Sequence, residues 1–266
     1  MDRSPQLSGG GSSRGAVPSY PQGHELLAGR TVLVTAAAGT GIGFATAKRC
    51  IEEGATVVVS DAHERRLAEA AAQLGVRGVV CDVTNETHVE AMISDAVDVL
   101  GHLDVLVNNA GLGGTANIVD MSDDQWGQVM EVTLNGTFRC TRAGLRYMLP
   151  RRSGVIVNNA SVLGWRAQAG QAHYAAAKAG VMALTRCAAI EAAPYGVRVN
   201  AVAPSLARHP FLTKVMTEDL LDDLEGREAF GRAAEPWEVA NVIVFLASEY
   251  SSYMTGECVS VSSQHP

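Results

Sequence analysis

TVLVTAAAGTGIG, residues 31–43, runs from a short apolar segment into a turn of small residues and then into an Ala-rich helical pattern. A Val/Leu run without polar alternation reads as a strand covered on both faces, as in a parallel sheet. The small residues let the chain turn sharply and let an anion approach the next helix. At that N-terminus, free N–H groups and the dipole favour negative charge. Strand, glycine turn and helix in this order predict the first unit of a doubly wound sheet with a nucleotide at its turn. A glycine turn alone is a weak signal, and its weight comes from the rest of the chain.

Outward from this stretch, strand and helix signals alternate. A helix is expected from about Gly43 to Glu53, followed by strands at Thr56–Ser60, Gly78–Cys81, Val105–Val107, Val155–Val157, Val197–Val202 and Cys258–Val261. Helices between successive strands imply right-handed crossovers. The expected fold class is α/β, a single doubly wound Rossmann domain over residues 29–266. Its sheet should be mostly parallel, seven-stranded and flanked by helices. Residues 1–28, rich in Gly, Ser and Pro, are expected to form a flexible N-terminal leader, with a functional arm as the alternative. Residues 205–230 hang beyond the sixth strand and read as a substrate lid with Phe211, Leu212, Val215 and Met216 as its apolar wall. A core-packed helix pair is the alternative there.

Composition narrows the classes. The chain has 266 residues, 47% hydrophobic and 18% charged, with a net charge of −7. That is ample for a core, and it argues against nucleic acid or an anionic membrane as main partner. The five cysteines (Cys50, Cys81, Cys140, Cys187, Cys258) form no C-x-x-C pair and read as reduced core thiols. No spacing suggests a metal, and no apolar run reaches the roughly 18 residues of a membrane span. A cytoplasmic protein is expected.

Two further positions bear on the turn. Asp61 ends the second strand twenty residues after Gly41, where a carboxylate can accept from both hydroxyls of a ribose; a helix N-cap is the alternative reading. An acid there repels a 2′-phosphate, which predicts NAD over NADP, although Arg65 and Arg66 just beyond leave NADP open. Asp82 and Val83 close the third strand, where they can meet an adenine edge. Asn108-Asn109-Ala110-Gly111 ends the fourth, where amides can tie strands or touch ribose.

Ser161 follows the fifth strand. Thirteen positions on, His-Tyr-Ala-Ala-Ala-Lys places Tyr174 and Lys178 four apart in an Ala-rich helix, so phenol and ammonium share a face. A lysine cation there favours tyrosinate and is expected to lower the phenol pKa. Tyr174 can then exchange a proton with a carbonyl or alcohol oxygen that Ser161 holds in place.

With these motifs in order, the sequence resembles the short-chain dehydrogenase/reductase family from Leu27 to Val261. The nearest group is the 3-oxoacyl-thioester reductases with their hydroxyacyl-CoA and steroid dehydrogenase relatives. The resemblance extends to Gly231-Arg232-Ala233-Ala234-Glu235-Pro236 before the last helix. It implies an NAD(P)-dependent oxidoreductase of lipid metabolism, a homotetramer, interconverting a secondary alcohol and a ketone on an acyl-thioester or steroid-derived alicyclic substrate. The implied catalytic residues are Ser161, Tyr174 and Lys178. The implied cofactor contacts are Thr35, Ala37, Gly39, Thr40, Gly41, Ile42, Asp61, Asp82, Val83, Asn109, Ala110, Gly111, Tyr174, Lys178, Pro204 and Leu206.

The chain also departs from the family pattern. Ala36 replaces the usual first glycine of the turn. Thr133 stands where the family's relay asparagine is expected, and Asn135 comes two places late, about 200° away on an ideal helix; Thr133 retains a hydroxyl able to hold a water. Pro204-Ser205 replaces Pro-Gly, His209 falls where a threonine often contacts the nicotinamide amide, and the chain ends VSVSSQHP. Arg139, Arg142 and Arg146 recur at helical spacing, with Arg151 and Arg152 beyond. They read as a solvated face, or as a dock for the phosphates of coenzyme A or an acyl carrier. His173 reads as a wall residue. A sugar-alcohol or diol dehydrogenase and a weakly catalytic NAD-binding protein are the alternatives in function.

Overall fold

All of β1 (Thr31–Thr35) is buried, and its side chains divide between two cores. Val32 and Val34 join one apolar cluster, and Leu33 joins the other. This is the period-2 geometry of a strand buried on both faces. Removing each such side chain from water contributes about 1.5–3 kcal/mol. The computed structural model describes residues 15–209, 212 and 217–263.

The sheet holds β1, β2 (Thr56–Asp61), β3 (Arg77–Val80), β4 (Val105–Asn108), β5 (Gly154–Asn159), β6 (Val197–Pro204) and β7 (Cys258–Val261). Their order is β3-β2-β1-β4-β5-β6-β7, and all six pairings are parallel. The helices are α1 (Ile42–Glu52), α2 (Glu64–Leu74), α3 (Glu86–Leu100), α4 (Asp123–Met130), α5 (Gly136–Arg151), α6 (Ala172–Ala192), α7 (Glu218–Gly226) and α8 (Pro236–Ala247). β1 has β2 on one side and β4 on the other, so the winding reverses between β1 and β4. The crevice beyond their carboxyl ends is where such sheets take ligands.

The expected strands all form. β5 runs further than its apolar stretch because Asn158 and Asn159 at its end are buried and paired, and β6 continues through Ala203 and Pro204. α4 does not stop at Met130 but passes through a π-helical stretch, Glu131–Asn135, into α5.

Residues 1–14 of the expected leader lie outside the described residues, and residues 15–28 make specific contacts with the domain. Buried Glu53, at the end of α1, accepts from His24 N (2.7 Å) and Leu26 N (3.1 Å), and from Arg49 at 2.5 Å. Tyr20 donates to Glu52 at 2.7 Å and packs edge-on to Trp237 of α8. A carboxylate this buried needs several donors, and the chain before β1 supplies two of them. In the segment expected as a lid, α7 buries Leu221 and Leu224 and Leu212 is half-buried. Phe211, Val215 and Met216 lie outside the described residues, as do residues 264–266. Cys187 is exposed, unlike the core thiol expected there, while Cys50, Cys81 and Cys140 are buried. Among the described residues, no helix is long and apolar enough to cross a membrane and no side-chain cluster suits a metal.

Candidate active site

The turn after β1 is built by its neighbours. Ala37 N donates to Ser60 O at 3.0 Å, and Ala38 N donates to Asp61 Oδ2 at 3.2 Å, so β2 shapes the turn directly. Ala36 has φ +50° and Gly39 +112°; only the glycine adopts such a backbone without cost. Gly41 caps α1 with no side-chain cap bond, and the first turn of α1 has no acidic residue. A Cβ on Gly43 would lie 2.4 Å from Ala36 O and 2.5 Å from Asn109 Nδ2, whereas one on Gly39 would meet nothing within 4 Å. An uncapped, acid-free helix start beside open space fits the pyrophosphate of a dinucleotide. The His209 ring lies over the turn, 3.9 Å from where a Gly41 Cβ would sit.

Asp61 Oδ1 accepts from His63 N at 2.9 Å. His63 is the N-cap of α2, so Asp61 does not cap that helix. Each of its oxygens keeps a second lone pair for a ribose hydroxyl. Asp82 Oδ1 accepts from Thr84 N and Thr84 Oγ1 (2.9 and 2.8 Å). The Val83 side chain is buried against Gly136.

At the end of β4, successive asparagines face opposite ways. Asn108 Nδ2 donates to Asn158 Oδ1 (2.9 Å) and Thr141 Oγ1 (3.1 Å), toward α5. Asn109 Nδ2 donates to Thr35 O (3.2 Å) and Ala36 O (3.1 Å), toward the phosphate turn. Thr35 Oγ1 accepts from the N–H groups of Asn109 and Ala110 at 3.0 and 3.2 Å. One motif thus ties the strands and bonds the turn after β1.

Ser161, Tyr174 and Lys178 come together beyond β5. Ser161 is buried at the start of a single 3-10 turn, Val162–Gly164, where its Oγ accepts from Leu163 N at 3.2 Å. It also hydrogen-bonds Tyr174 and donates to Pro204 O at 3.5 Å. Lys178 lies one turn of α6 from Tyr174, its ammonium 5.5 Å from the ring centroid, and it donates to Asn159 O at 2.5 Å. Burial pulls the Lys178 pKa down to about 8. The phenol differs from expectation. Burial raises the Tyr174 pKa, and only the Ser161 hydrogen bond opposes it. The ammonium lies over the ring and bonds to the Asn159 carbonyl, so desolvation dominates at the phenol.

The loop after β4 closes the site. Built onto Gly111, Gly113 and Gly114, Cβ atoms would come within 3.4 Å of Lys178 Nζ, 3.9 Å of the Tyr174 ring and 3.2 Å of His173 Nε2 respectively. His173 is buried and forms a wall. Gln171 Nε2 donates to Gly114 O (2.8 Å) and Thr115 Oγ1 (3.1 Å). Sequence reasoning missed Gln171 and Asn159; the Gly-Leu-Gly-Gly run at 111–114 was the available hint that backbone passes close to side chains here.

Thr133, in the π-helical stretch, is fully buried and its hydroxyl is engaged by Leu112 N and O. Its own carbonyl accepts from Thr137 Oγ1 at 2.7 Å. The hydroxyl expected to hold a water therefore holds the loop. Asn135 Nδ2 donates to Glu131 at 2.5 Å, away from Lys178. The arginines of α5 are answered by acids: Arg139 meets Glu131 at 2.5 Å, Arg142 pairs with Glu86, and Arg146 meets Glu90 at 2.8 Å. That is the solvated face, not a phosphate dock. Pro204 is buried at the end of β6, and Leu206 O accepts from Ala234 N at 2.9 Å.

A family model described as enoyl-(acyl carrier protein) reductase matches residues 36–263. A (5R,7aS)-5-hydroxy-7a-methyl-1-oxo-2,3,5,6,7,7a-hexahydro-1H-indene-carboxyl-CoA reductase of Mycobacterium tuberculosis is 63% identical over 256 residues, 94% of this chain and 98% of that protein. A 3-oxoacyl-(acyl-carrier-protein) reductase of Thermotoga maritima is 39% identical over 240 residues, 88% of this chain and 97% of that one. The crystal structure of a short chain dehydrogenase from Mycobacterium smegmatis superposes with a TM-score of 0.84 at 58% identity, covering 94% of this chain and 99% of that one.

Proposed function

The chain belongs to the short-chain dehydrogenase/reductase family, and on that premise we propose that it interconverts an alicyclic secondary alcohol and its ketone on a coenzyme A thioester, using NAD(H). It is an NAD(P)-dependent oxidoreductase. The observation that carries the reading is the meeting of Ser161, Tyr174 and Lys178 beside the phosphate turn.

The bound nicotinamide supplies the site that takes or returns a hydride. In alcohol oxidation, Tyr174 Oη accepts the hydroxyl proton as the carbinol hydride leaves; in ketone reduction it returns that proton to the carbonyl oxygen. Ser161 Oγ donates to the same oxygen and fixes its position. Lys178, with a pKa brought near 8 by burial, carries a cation close to the operating pH that stabilises phenolate as it forms.

Asp61 favours NAD, since its carboxylate stands where a 2′-phosphate would add charge. The substrate class draws on the relative named as an indene-carboxyl-CoA reductase. It also draws on exposed apolar Ile118, Val119 and Trp165 on the two loops that flank the site, which Ala116 N joins by donating to Gly170 O at 3.0 Å. A homotetramer is supported by exposed apolar residues on helices and near the edge strand, among them Phe138, Ile190, Tyr250 and Tyr253.

The test is fluorescence titration with NADH and NADPH, followed by turnover on CoA thioesters bearing a bicyclic ketone, alongside simple 3-oxoacyl-CoA and diol substrates. Tighter NADH binding and turnover of the bicyclic thioester are expected, with Tyr174→Phe slower by on the order of 10²–10⁴-fold. Tighter NADPH binding would refute the reading of Asp61, and turnover confined to diols would refute the substrate class.

A further inference from the structure

No side chain of the expected catalytic set links Lys178 to the phosphate turn, but Asn159 does. The Lys178 ammonium donates to Asn159 O at 2.5 Å. The Asn159 side-chain NH₂ donates to Asn109 Oδ1 at 2.9 Å, and the Asn109 NH₂ donates to Thr35 O and Ala36 O. The last step fixes the orientation of both amides. Two backbone carbonyls can only accept, so Asn109 must turn its NH₂ to them and its oxygen to Asn159. Asn159 must then answer with its own NH₂.

That arrangement leaves Asn159 Oδ1 buried without a hydrogen-bond partner. An aliphatic side chain of similar size would avoid this desolvation cost, and the strand leading to it, Val155–Val157, is aliphatic. Alternation explains where the amide goes. Asn158 points to the face of Asn108 and Thr185, so Asn159 points to the opposite face, toward the turn that begins α1.

We infer that Asn159 is a positioning residue whose side-chain amide, tied to Asn109, holds the carbonyl that receives the Lys178 ammonium in register with the Thr35–Ala36 turn. Cofactor grip and the geometry of the lysine are then set by one chain of bonds. The inference rests on the dehydrogenase reading above, in which Lys178 handles charge at the reacting oxygen. Tyr174 is the titratable group that faces Lys178 from α6. Thr133 from the π-helical stretch and Gly111 from the loop bring no charge to it, and burial is the cause of its lowered pKa.

The test uses Asn159→Leu, which removes the amide at similar size, and Asn159→Ser, which is too short to reach Asn109 and adds no apolar bulk if the leucine variant fails to fold. Two readouts need no substrate. One is the dissociation constant for NADH. The other is the Lys178 pKa, followed by NMR of ε-¹³C-lysine; the chain has three lysines, Lys48, Lys178 and Lys214, so assignment is simple. In a folded variant, NADH binding should weaken at least fivefold and the Lys178 midpoint should fall by half a unit or more. A loss of thermal stability with only one of these changes, or neither, would overturn the coupling. Absence of turnover in the unaltered enzyme would instead count against the dehydrogenase reading, and both readouts would still decide the role of Asn159.

Discussion

Thr133 grips Leu112 by both of its backbone polar groups: the hydroxyl accepts from Leu112 N at 2.9 Å and donates to Leu112 O at 3.1 Å. A side chain at full burial thereby fastens the loop that carries Gly113 and Gly114 against Tyr174 and His173. Thr133→Val keeps the shape and removes both bonds, leaving a donor and an acceptor unpaired at a cost of about 1–3 kcal/mol. A lower melting temperature and a raised KM for the acyl substrate are expected, with Thr133→Ser restoring both. Steady-state kinetics on the two variants decide the matter, and unchanged KM in Thr133→Val would show that the loop is held otherwise.

Lys178 should show a conflict between stability and function. Its folded pKa, about 8, lies below its ordinary value of 10.5, so the fold disfavours the cation. Between those values the unfolded chain holds more protons, and stability rises with pH. Below pH 8 the penalty is fully present, up to about 3 kcal/mol. Lys178→Met is therefore expected to be more stable than the unaltered enzyme at pH 7, to lose that advantage by pH 10.5, and to lose activity at both. Denaturant unfolding at the two pH values measures the difference.

Asp61 accepts from Ala38 N and His63 N and keeps lone pairs for ribose. Asp61→Asn removes the charge that opposes a 2′-phosphate while retaining an acceptor. The ratio of NADPH to NADH affinity should rise about tenfold, on the order of 1.4 kcal/mol. A ratio that does not move in parallel titrations would place the discrimination elsewhere.

Ala36 sits at φ +50°, a region that costs a non-glycine residue about 1 kcal/mol. Ala36→Gly should relieve the strain and raise the melting temperature by roughly 2–4 °C, with NADH affinity little changed. A lower melting temperature would mean that the Ala36 methyl contributes packing that exceeds its strain.

The arginines of α5 show what spacing alone leaves open. Arg139, Arg142 and Arg146 repeat at helical intervals, but Arg142 and Arg146 find their partners Glu86 and Glu90 on α3, and no local pattern reveals which helix packs alongside. The segment before β1 shows the opposite case. Its Gly, Ser and Pro content lacks periodicity, yet Glu53 holds His24 and Leu26, and Trp237 packs against the ring of Tyr20. Those contacts need one well-placed partner rather than a repeating pattern.

The sequence by itself determined the parallel sheet, the small-residue turn after its first strand and the placing of Tyr174 and Lys178 one helical turn apart. All of these follow from local periodicity, steric freedom and spacing within a single element. Only the tertiary structure decided what those residues touch. Thr133 faces Leu112 because a π-helical stretch changes the phase of the helix, which no 3.6-residue count anticipates. Asn159 joins Lys178 to Asn109 because β4 and β5 lie side by side in register. Burial sets the direction of the Tyr174 pKa, because desolvation depends on everything packed around a group, and that environment is assembled from segments far apart in the chain.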